Sequence, residues 1–240
     1  MPAPQPLIQT PAPNLDWSRP GTPAATDFGD VYFSTDGGLE ETRDVFLRGC
    51  GLPEGWHDRP VFTIAELGFG SGLNFLATWQ LWTETATAGQ RLHYVSIEKY
   101  PFDRAQLVKA LAAFPELSTY SAALTAAWPG RVKGLHRLHF GKVTLTLVHD
   151  GVMDALDSLQ ALRADAWFLD GFSPRKNPDM WAEDLMARLP ELCADGARLA
   201  TFSVAAPVRQ ALQAAGFELS KKKGFGRKRH RLEARLPGAS

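Results

Sequence analysis

Apolar residues along this chain recur in two rhythms, one of period two and one near 3.6, and the rhythms alternate. The first well-marked strand is Val61-Phe62-Thr63-Ile64-Ala65-Glu66-Leu67, which runs through Gly68-Phe69-Gly70-Ser71-Gly72 into a helix opening at Leu73-Asn74-Phe75. That helix carries Phe75, Trp79 and Trp82 at i, i+4 and i+7, the spacing of a stripe packed on a core rather than of a platform for bases. Strands are expected again at 92–97, 135–140, 143–148, 166–169 and 199–202. Between them lie helical stretches: one from Pro101 to Pro115, one at 153–162, one carrying Trp181, Leu185 and Leu189, and one from Pro207 to Gly216. Segments 217–222 and 228–236 flank Gly224-Phe225-Gly226 as a terminal hairpin. The run Ala166-Trp167-Phe168-Leu169 is apolar throughout, as suits a parallel strand buried on both faces. Strands alternating with helices predict a mostly parallel sheet covered on both sides, with ligands at the carboxyl ends of its strands.

Upstream of residue 61 the pattern is less regular. Residues 1–13 hold Pro2, Pro4, Pro6, Pro11 and Pro13 among small residues and are expected as a disordered lead. Residues 14–60 are expected as an extension packed on a core of residues 61–236. Trp17, Phe28, Val31, Tyr32 and Phe33 are available for burial there, 27–34 reads as a short strand or cap, and 39–47 is helical. Glu40 and Glu41 fall in the first turn of that helix, where its dipole favours acids.

The strand, glycine turn and helix start at 61–75 form a place where bare backbone and unpaired amides admit a nucleotide-like ligand. The spacing is Gly-x-Gly-x-Gly; a dinucleotide fingerprint would place its third glycine at 73, where Leu73 stands. Four acids, Glu66, Glu98, Asp150 and Asp170, fall at or just after expected strand ends and would share one rim of the sheet. An acid-lined site suits S-adenosylmethionine, with its ammonium, sulfonium and ribose, better than a pyrophosphate. On this reading Glu98 accepts the ribose hydroxyls, Asp150 meets the adenine amino group, Glu66 borders the methionine part and Asp170 lies where the methyl group sits. The bland alternatives are a tight structural turn for the glycines and helix caps for the acids. The terminal antiparallel hairpin is the finish of a Rossmann-like class I methyltransferase with a seven-stranded sheet; a nicotinamide dehydrogenase keeps that edge parallel.

Bulk composition narrows the class. The 240 residues fit one substantial α/β domain, and 45% hydrophobic with 22% charged residues is the balance of a soluble globule. No apolar run approaches a membrane span, and no signal-peptide layout opens the chain, so a reducing cytoplasm is the expected setting. Cys50 and Cys193 stand far apart and, with six scattered histidines, make no zinc pattern, so no metal is expected. Formal net charge is zero, yet between Lys221 and Arg235 eight cations face Glu233 alone. That segment is either a phosphate-contacting footprint or an edge hairpin guarded by lysines.

The blocks Gly38-Leu39-Glu40-Glu41-Thr42-Arg43, Asp165-Ala166-Trp167-Phe168-Leu169-Asp170-Gly171-Phe172-Ser173-Pro174, Lys176-Asn177-Pro178-Asp179-Met180-Trp181 and Gly224-Phe225-Gly226-Arg227-Lys228-Arg229 carry a resemblance. From about Trp17 to Leu232 the chain resembles the methyltransferase domain of the MnmC family, bacterial enzymes of tRNA wobble-uridine modification, in a stand-alone form. His149, Ala206-Pro207 and His230 depart from the family pattern. The resemblance implies methyl transfer from S-adenosylmethionine to the primary amine of 5-aminomethyl-(2-thio)uridine in tRNA, giving 5-methylaminomethyl-(2-thio)uridine. A chain of this length has no room for the FAD-dependent oxidoreductase domain of the fused enzymes, so FAD is not expected here and a separate oxidoreductase would supply the amine. The alternatives are an N-methyltransferase acting on another amine and a catalytically silent RNA- or nucleotide-binding module.

An alkylamine resembles lysine, with a reference pKa of about 10.4, so roughly one molecule in a thousand is neutral at pH 7. Burial lowers that pKa and a neighbouring carboxylate raises it. Asp170 is therefore expected to orient the amine and accept its proton, while apolar walls favour the neutral nucleophile. The expected cofactor contacts are Glu66, Gly68, Gly70, Gly72, Leu73, Asn74, Glu98, Lys99, Asp150 and Asp170. Tyr32, Glu41, Phe172, Pro174 and Lys176 are expected at the substrate, and Arg175, Lys222, Arg227, Lys228 and Arg229 at the tRNA backbone.

Overall fold

The computed structural model describes residues 7–35, 37–226 and 228–238. Three two-residue strands, β1 (Leu15–Asp16), β2 (Ala24–Ala25) and β3 (Asp30–Val31), pair antiparallel as a small separate sheet. Helix α1 (Gly38–Thr42) then runs straight into a π-helical turn, Arg43–Arg48. The larger layer follows as β4 (Val61–Leu67), α2 (Leu73–Thr85), β5 (Arg91–Ile97), α3 (Arg104–Leu111), α4 (Ser118–Ala127), β6 (Gly134–Phe140), β7 (Val143–His149), α5 (Val152–Ser158), β8 (Ala164–Leu169), α6 (Glu183–Arg188), β9 (Cys193–Thr201), α7 (Ala206–Ala214), β10 (Glu218–Lys223) and β11 (His230–Arg235).

The strand order is β10-β11-β9-β8-β4-β5-β7-β6. The five central strands pair parallel, while β11 is antiparallel to both β9 and β10, and β6 to β7. Seven strands would suffice for this plan; the eighth, β6, is an added edge whose residues alternate exposed and half-buried. The chain winds outward from β4 through β5 to β7, then returns to lay β8 on the other side of β4. That reversal opens a crevice at the carboxyl ends of β4 and β8, where ligands bind in such sheets.

Period two decides which side chains meet in the crevice. Phe62 and Ile64 of β4 join Leu92 and Tyr94 of β5 on one face, whereas Ala65, Leu67, Val95 and Ile97 face the opposite core. Glu66 shares the parity of Phe62 and Ile64, and its register partners are Ser96 on β5 and Phe168 on β8. Asp170, two residues beyond Phe168, follows the same parity. The acids therefore point toward α2, and their convergence is a consequence of strand register.

Several boundaries differ from the periodic reading. Helix α3 begins at Arg104, three residues after Pro101, because Asp103 and Gln106 form a reciprocal capping box there. Helix α4 has no counterpart among the expected elements; its Ser-Thr-Tyr-Ser start and alanine-rich end give little apolar periodicity. Residues 7–13, expected within the disordered lead, are largely exposed but pair with the chain ahead of β6: Gln9 bridges Val132, and both the amide and hydroxyl of Thr10 donate to the Arg131 carbonyl. Residues 1–6 lie outside the described residues.

Candidate active site

A cavity of about 720 Å³ opens at the carboxyl ends of β4, β5, β7 and β8, within the size range of small-molecule sites. Its floor is the glycine turn. Gly68, Gly70 and Gly72 have φ of +87°, +53° and +77°, conformations that side-chain-bearing residues rarely adopt. A Cβ on Gly68 would stand 2.9 Å from the Asp170 carbonyl oxygen, so β4 and β8 approach here because nothing lies between them. Helix α2 starts without a side-chain cap, leaving its first amides without the usual intrahelical partners.

Behind the floor lies a polar network centred on Asn74. Its Nδ2 donates to Glu66 Oε1 at 2.8 Å and to Asp170 Oδ2 at 2.7 Å, while Thr42 Oγ1 donates to its Oδ1 at 2.8 Å. Ser96 Oγ donates to the other Glu66 oxygen at 2.7 Å, and the Gly171 amide donates to Asp170 Oδ1 at 2.8 Å. One amide thus ties together β4, β8 and α1. Glu66 is fully buried; burial pushes its pKa up to about 8 against the opposing hydrogen bonds from Ser96 and Asn74. Tyr94 Oη, nearby, reaches no hydrogen-bond geometry. Asp170 lines the cavity, and burial raises it to about 6 against the bonds from Asn74 and Gly171. Two like carboxyl groups have been separated by environment: the inner one carries a proton at neutral pH and the outer one is largely ionised.

Glu98 lines the cavity, and its two oxygens accept the Gly70 and Tyr100 amides at 2.8 Å each. It clamps the glycine turn to the end of β5; burial raises its pKa, opposed by those same backbone bonds. Lys99, Leu73, Gly68 and Gly70 line the cavity as well, whereas Glu66 sits behind its wall and Gly72 beside the Phe69 ring. Asp150 also lines it and pairs with Lys133 at 3.0 Å. The adjoining His149 is buried, with Nδ1 3.1 Å from the Val132 carbonyl and Nε2 without a partner. Burial, and then His136, lower it to about 4, so it is neutral.

An aromatic wall covers the glycine turn. Phe172 stacks on Phe28 at 4.7 Å and meets Tyr32 edge-on at 5.2 Å, and Tyr32 packs on Phe102 at 4.6 Å. Burial, reinforced by Glu98, raises the Tyr32 phenol above its ordinary range. Trp181 Nε1 donates to the Phe172 carbonyl at 2.9 Å, holding the loop after β8. Lys176 and Pro174, expected at the substrate, stand outside the lining. Lys176 is instead spent on the small sheet, pairing with Asp30 at 3.2 Å and donating to the Gly29 carbonyl. Asp30 in turn accepts the Ser173 amide at 3.1 Å.

The terminal hairpin divides its cations among different tasks. Lys221, Lys222, Lys223 and Arg229 are exposed, as is Arg175 on the loop after β8. Arg231 is buried and committed to Glu233, Asp44 and the Lys223 carbonyl. Lys228, expected at the tRNA backbone, is half exposed; it also lines the cavity, pairs with Glu41 and lies 4.7 Å from the Phe202 ring centroid. Arg227 lies outside the described residues. Among lining residues without a sequence-based expectation, Thr42 and Phe28 sit in the small N-terminal elements, and Phe202 is the first residue past β9. A strand-end position was the available signal for Phe202, the same one that marked Asp170.

Residues 115–237 match the family described as S-adenosyl-L-methionine-dependent methyltransferase. The tRNA 5-methylaminomethyl-2-thiouridine biosynthesis bifunctional protein MnmC of Maricaulis maris is 50% identical over 226 residues, covering 93% of this chain and 38% of the relative. Its counterpart from Caulobacter vibrioides is 48% identical over 238 residues, covering 98% and 39%. The chain thus spans about two fifths of the length of the curated relatives it matches. The crystal structure of MNMC2 from Aquifex aeolicus superposes with a TM-score of 0.73 at 23% identity, over 91% of this chain and 69% of that one, and shares the fold. Sheet order, glycine turn and acid-lined crevice agree with the match over the carboxyl-terminal half: this chain belongs to the S-adenosyl-L-methionine-dependent methyltransferase family.

Proposed function

We propose that this chain methylates the primary amine of 5-aminomethyl-(2-thio)uridine at the wobble position of tRNA, producing 5-methylaminomethyl-(2-thio)uridine. The observation that carries the reading is Asp170, a carboxylate raised by burial to about 6 on the cavity wall where Phe28, Tyr32 and Phe172 also stand. Half-identity to two MnmC proteins over nearly the whole chain supports the choice of substrate.

The cavity fits the cofactor by its donor set: the Gly68–Gly72 turn has no side chain to fill the floor, and Glu98 and Asp150 stand on the rim. Gly68, Gly70, Leu73, Lys99, Glu98 and Asp150 would hold it, with Glu66, Gly72 and Asn74 shaping the turn from behind. When bound, S-adenosylmethionine supplies an electrophilic methyl on sulfur. Phe172, Tyr32 and Phe28 flatten one wall against a pyrimidine and exclude water from the amine. Asp170 Oδ2, oriented by Asn74, takes the amine proton, which an acid near 6 does more readily than one near 4. Positioning contributes the rest, because a displacement at methyl needs the nucleophile in line and close. Arg175, Lys222 and Arg229 contact the tRNA backbone. Following the resemblance, an FAD-dependent oxidoreductase activity supplies the amine. Among the described residues no helix is long and apolar enough to cross a membrane, and no group of three metal-ligating side chains is found.

Nucleoside mass spectrometry tests the reading: purified protein, S-adenosylmethionine and tRNA bearing the aminomethyl precursor should yield a gain of one methyl on that nucleoside. An unmodified nucleoside under conditions where the cofactor binds would refute it.

A further inference from the structure

On the lining of the cavity, with its side chain half exposed, the protein already places an alkylammonium of its own. Lys228 reaches in from the turn between β10 and β11, pairs with Glu41 on α1 and lies 4.7 Å from the ring centroid of Phe202 beyond β9. The Glu41 side chain is only 15% exposed, so its charge is partly desolvated and needs a cation. Lys228 and Glu41 both act on Asp170, the first lowering and the second raising its pKa. Two carboxylates and an aromatic face around one position are the elements of a cation site. A lysine terminus and an aminomethyl group present the same chemistry, a CH2 bearing a primary ammonium.

We propose that the Glu41–Phe202–Asp170 corner is the docking site for the acceptor amine, and that Lys228 is a resident competitor which the substrate must displace. This rests on the methyl-transfer reading above and deepens it. Glu41 and Phe202 receive the charged amine in the place Lys228 vacates. Lys228 thereby selects against small amines: a free nucleoside competes unaided with a tethered cation, whereas tRNA brings backbone contacts to the exposed lysines of the same hairpin. Where an occupied fraction blocks a site, apparent affinity falls by the free fraction, so a corner closed for all but a tenth to a hundredth of the time weakens a ligand by about ten- to a hundredfold.

The test uses the whole chain and the nucleoside 5-aminomethyluridine as probe, with S-adenosylhomocysteine present and affinity read by calorimetry. Lys228→Met, which keeps the stem and removes the charge, should bind the probe at least about tenfold more tightly than wild type. Glu41→Gln on that background should abolish the gain, and Glu41→Asp should restore part of it. With tRNA as substrate, Lys228→Met should lower KM. Unchanged probe affinity in Lys228→Met would overturn the proposal. So would weaker tRNA binding with a shallower salt dependence, which would make Lys228 a phosphate contact. Failure of wild type to methylate tRNA alongside tighter probe binding by Lys228→Met would sink the tRNA reading and leave the cation site standing.

Discussion

Asn74 is the residue on which the candidate site turns, because one amide group donates to both Glu66 and Asp170 and holds each pKa below the level burial alone would set. If Asp170 takes the amine proton, kcat/KM depends on two ionisations. The free amine fraction rises tenfold per pH unit throughout the range below about 10, and ionisation of Asp170 adds a second factor below about 6. The logarithmic profile should therefore have slope two below pH 6 and slope one above it. Asp170→Asn should lower activity sharply and remove the break; an unaltered profile with intact cofactor binding would dismiss Asp170 as the base. Asn74→Ala withdraws the hydrogen bond that holds Asp170 down, so the break should move to higher pH. It also leaves a buried Thr42 hydroxyl and part of Glu66 unpaired, at a cost of about 1–3 kcal/mol for each group left unsatisfied, visible in denaturant melts. Glu66 makes a separate prediction. Its folded pKa is raised, so the folded state keeps a proton that the unfolded chain has released, and this contribution to stability is lost as pH rises through about 8. Glu66→Gln mimics the protonated form, and its melting temperature should vary less than wild type's between pH 6 and 9.

At the scale of elements, the sequence was most readable where a strand is buried on both faces and least readable where tertiary contacts decide. The runs at β4, β5, β7 and β8 are apolar enough to identify themselves, and the acids at their ends follow from the parity of the pleat. The small sheet of β1, β2 and β3 has no such rhythm: its six residues are held by Lys176–Asp30 and by the stacking of Phe28 on Phe172, pairings more than a hundred residues apart in sequence. For the same reason the pairing of Lys176 with Asp30 and the place of Lys228 on the cavity lining could not be read locally. Charge can be counted in a sequence; the direction a lysine takes from a hairpin turn cannot. The glycine turn, by contrast, is a backbone demand that only glycine satisfies. Gly68→Ala would need φ of +87° from a residue with a Cβ and would push that Cβ to 2.9 Å from the Asp170 carbonyl oxygen. It should separate β4 from β8 and weaken S-adenosylmethionine binding at least about tenfold by calorimetry. Ala at Gly141, which also has positive φ but no atom within 4 Å of the added Cβ, should leave that affinity unchanged.

For the whole molecule, zero net charge conceals a division of labour. The described cations of the hairpin fall into three kinds: Arg231 locked into the fold, Lys228 half exposed but paired with Glu41 on the cavity lining, and Lys221, Lys222, Lys223, Arg229 and Arg235 exposed to solvent. The last group stands ready to neutralise phosphates without giving up an ion pair. If it does, affinity for tRNA falls linearly with the logarithm of salt concentration, and each lost contact to duplex or single-stranded regions reduces that slope by about 0.7–0.9. Replacing Lys222 and Arg229 together should flatten the slope by about 1.5 and weaken binding most at low salt, while S-adenosylmethionine affinity stays put, because neither side chain lines the cavity. The buried Arg231 supplies the contrast. Its replacement by Met should lower the melting temperature, because Glu233 loses its partner and Asp44 one of its two, yet leave the salt slope of the folded fraction intact. If the double replacement leaves the slope untouched, the exposed lysines are guards of the β10 edge against pairing with another sheet, and their removal should then show itself as aggregation on heating rather than as weaker binding.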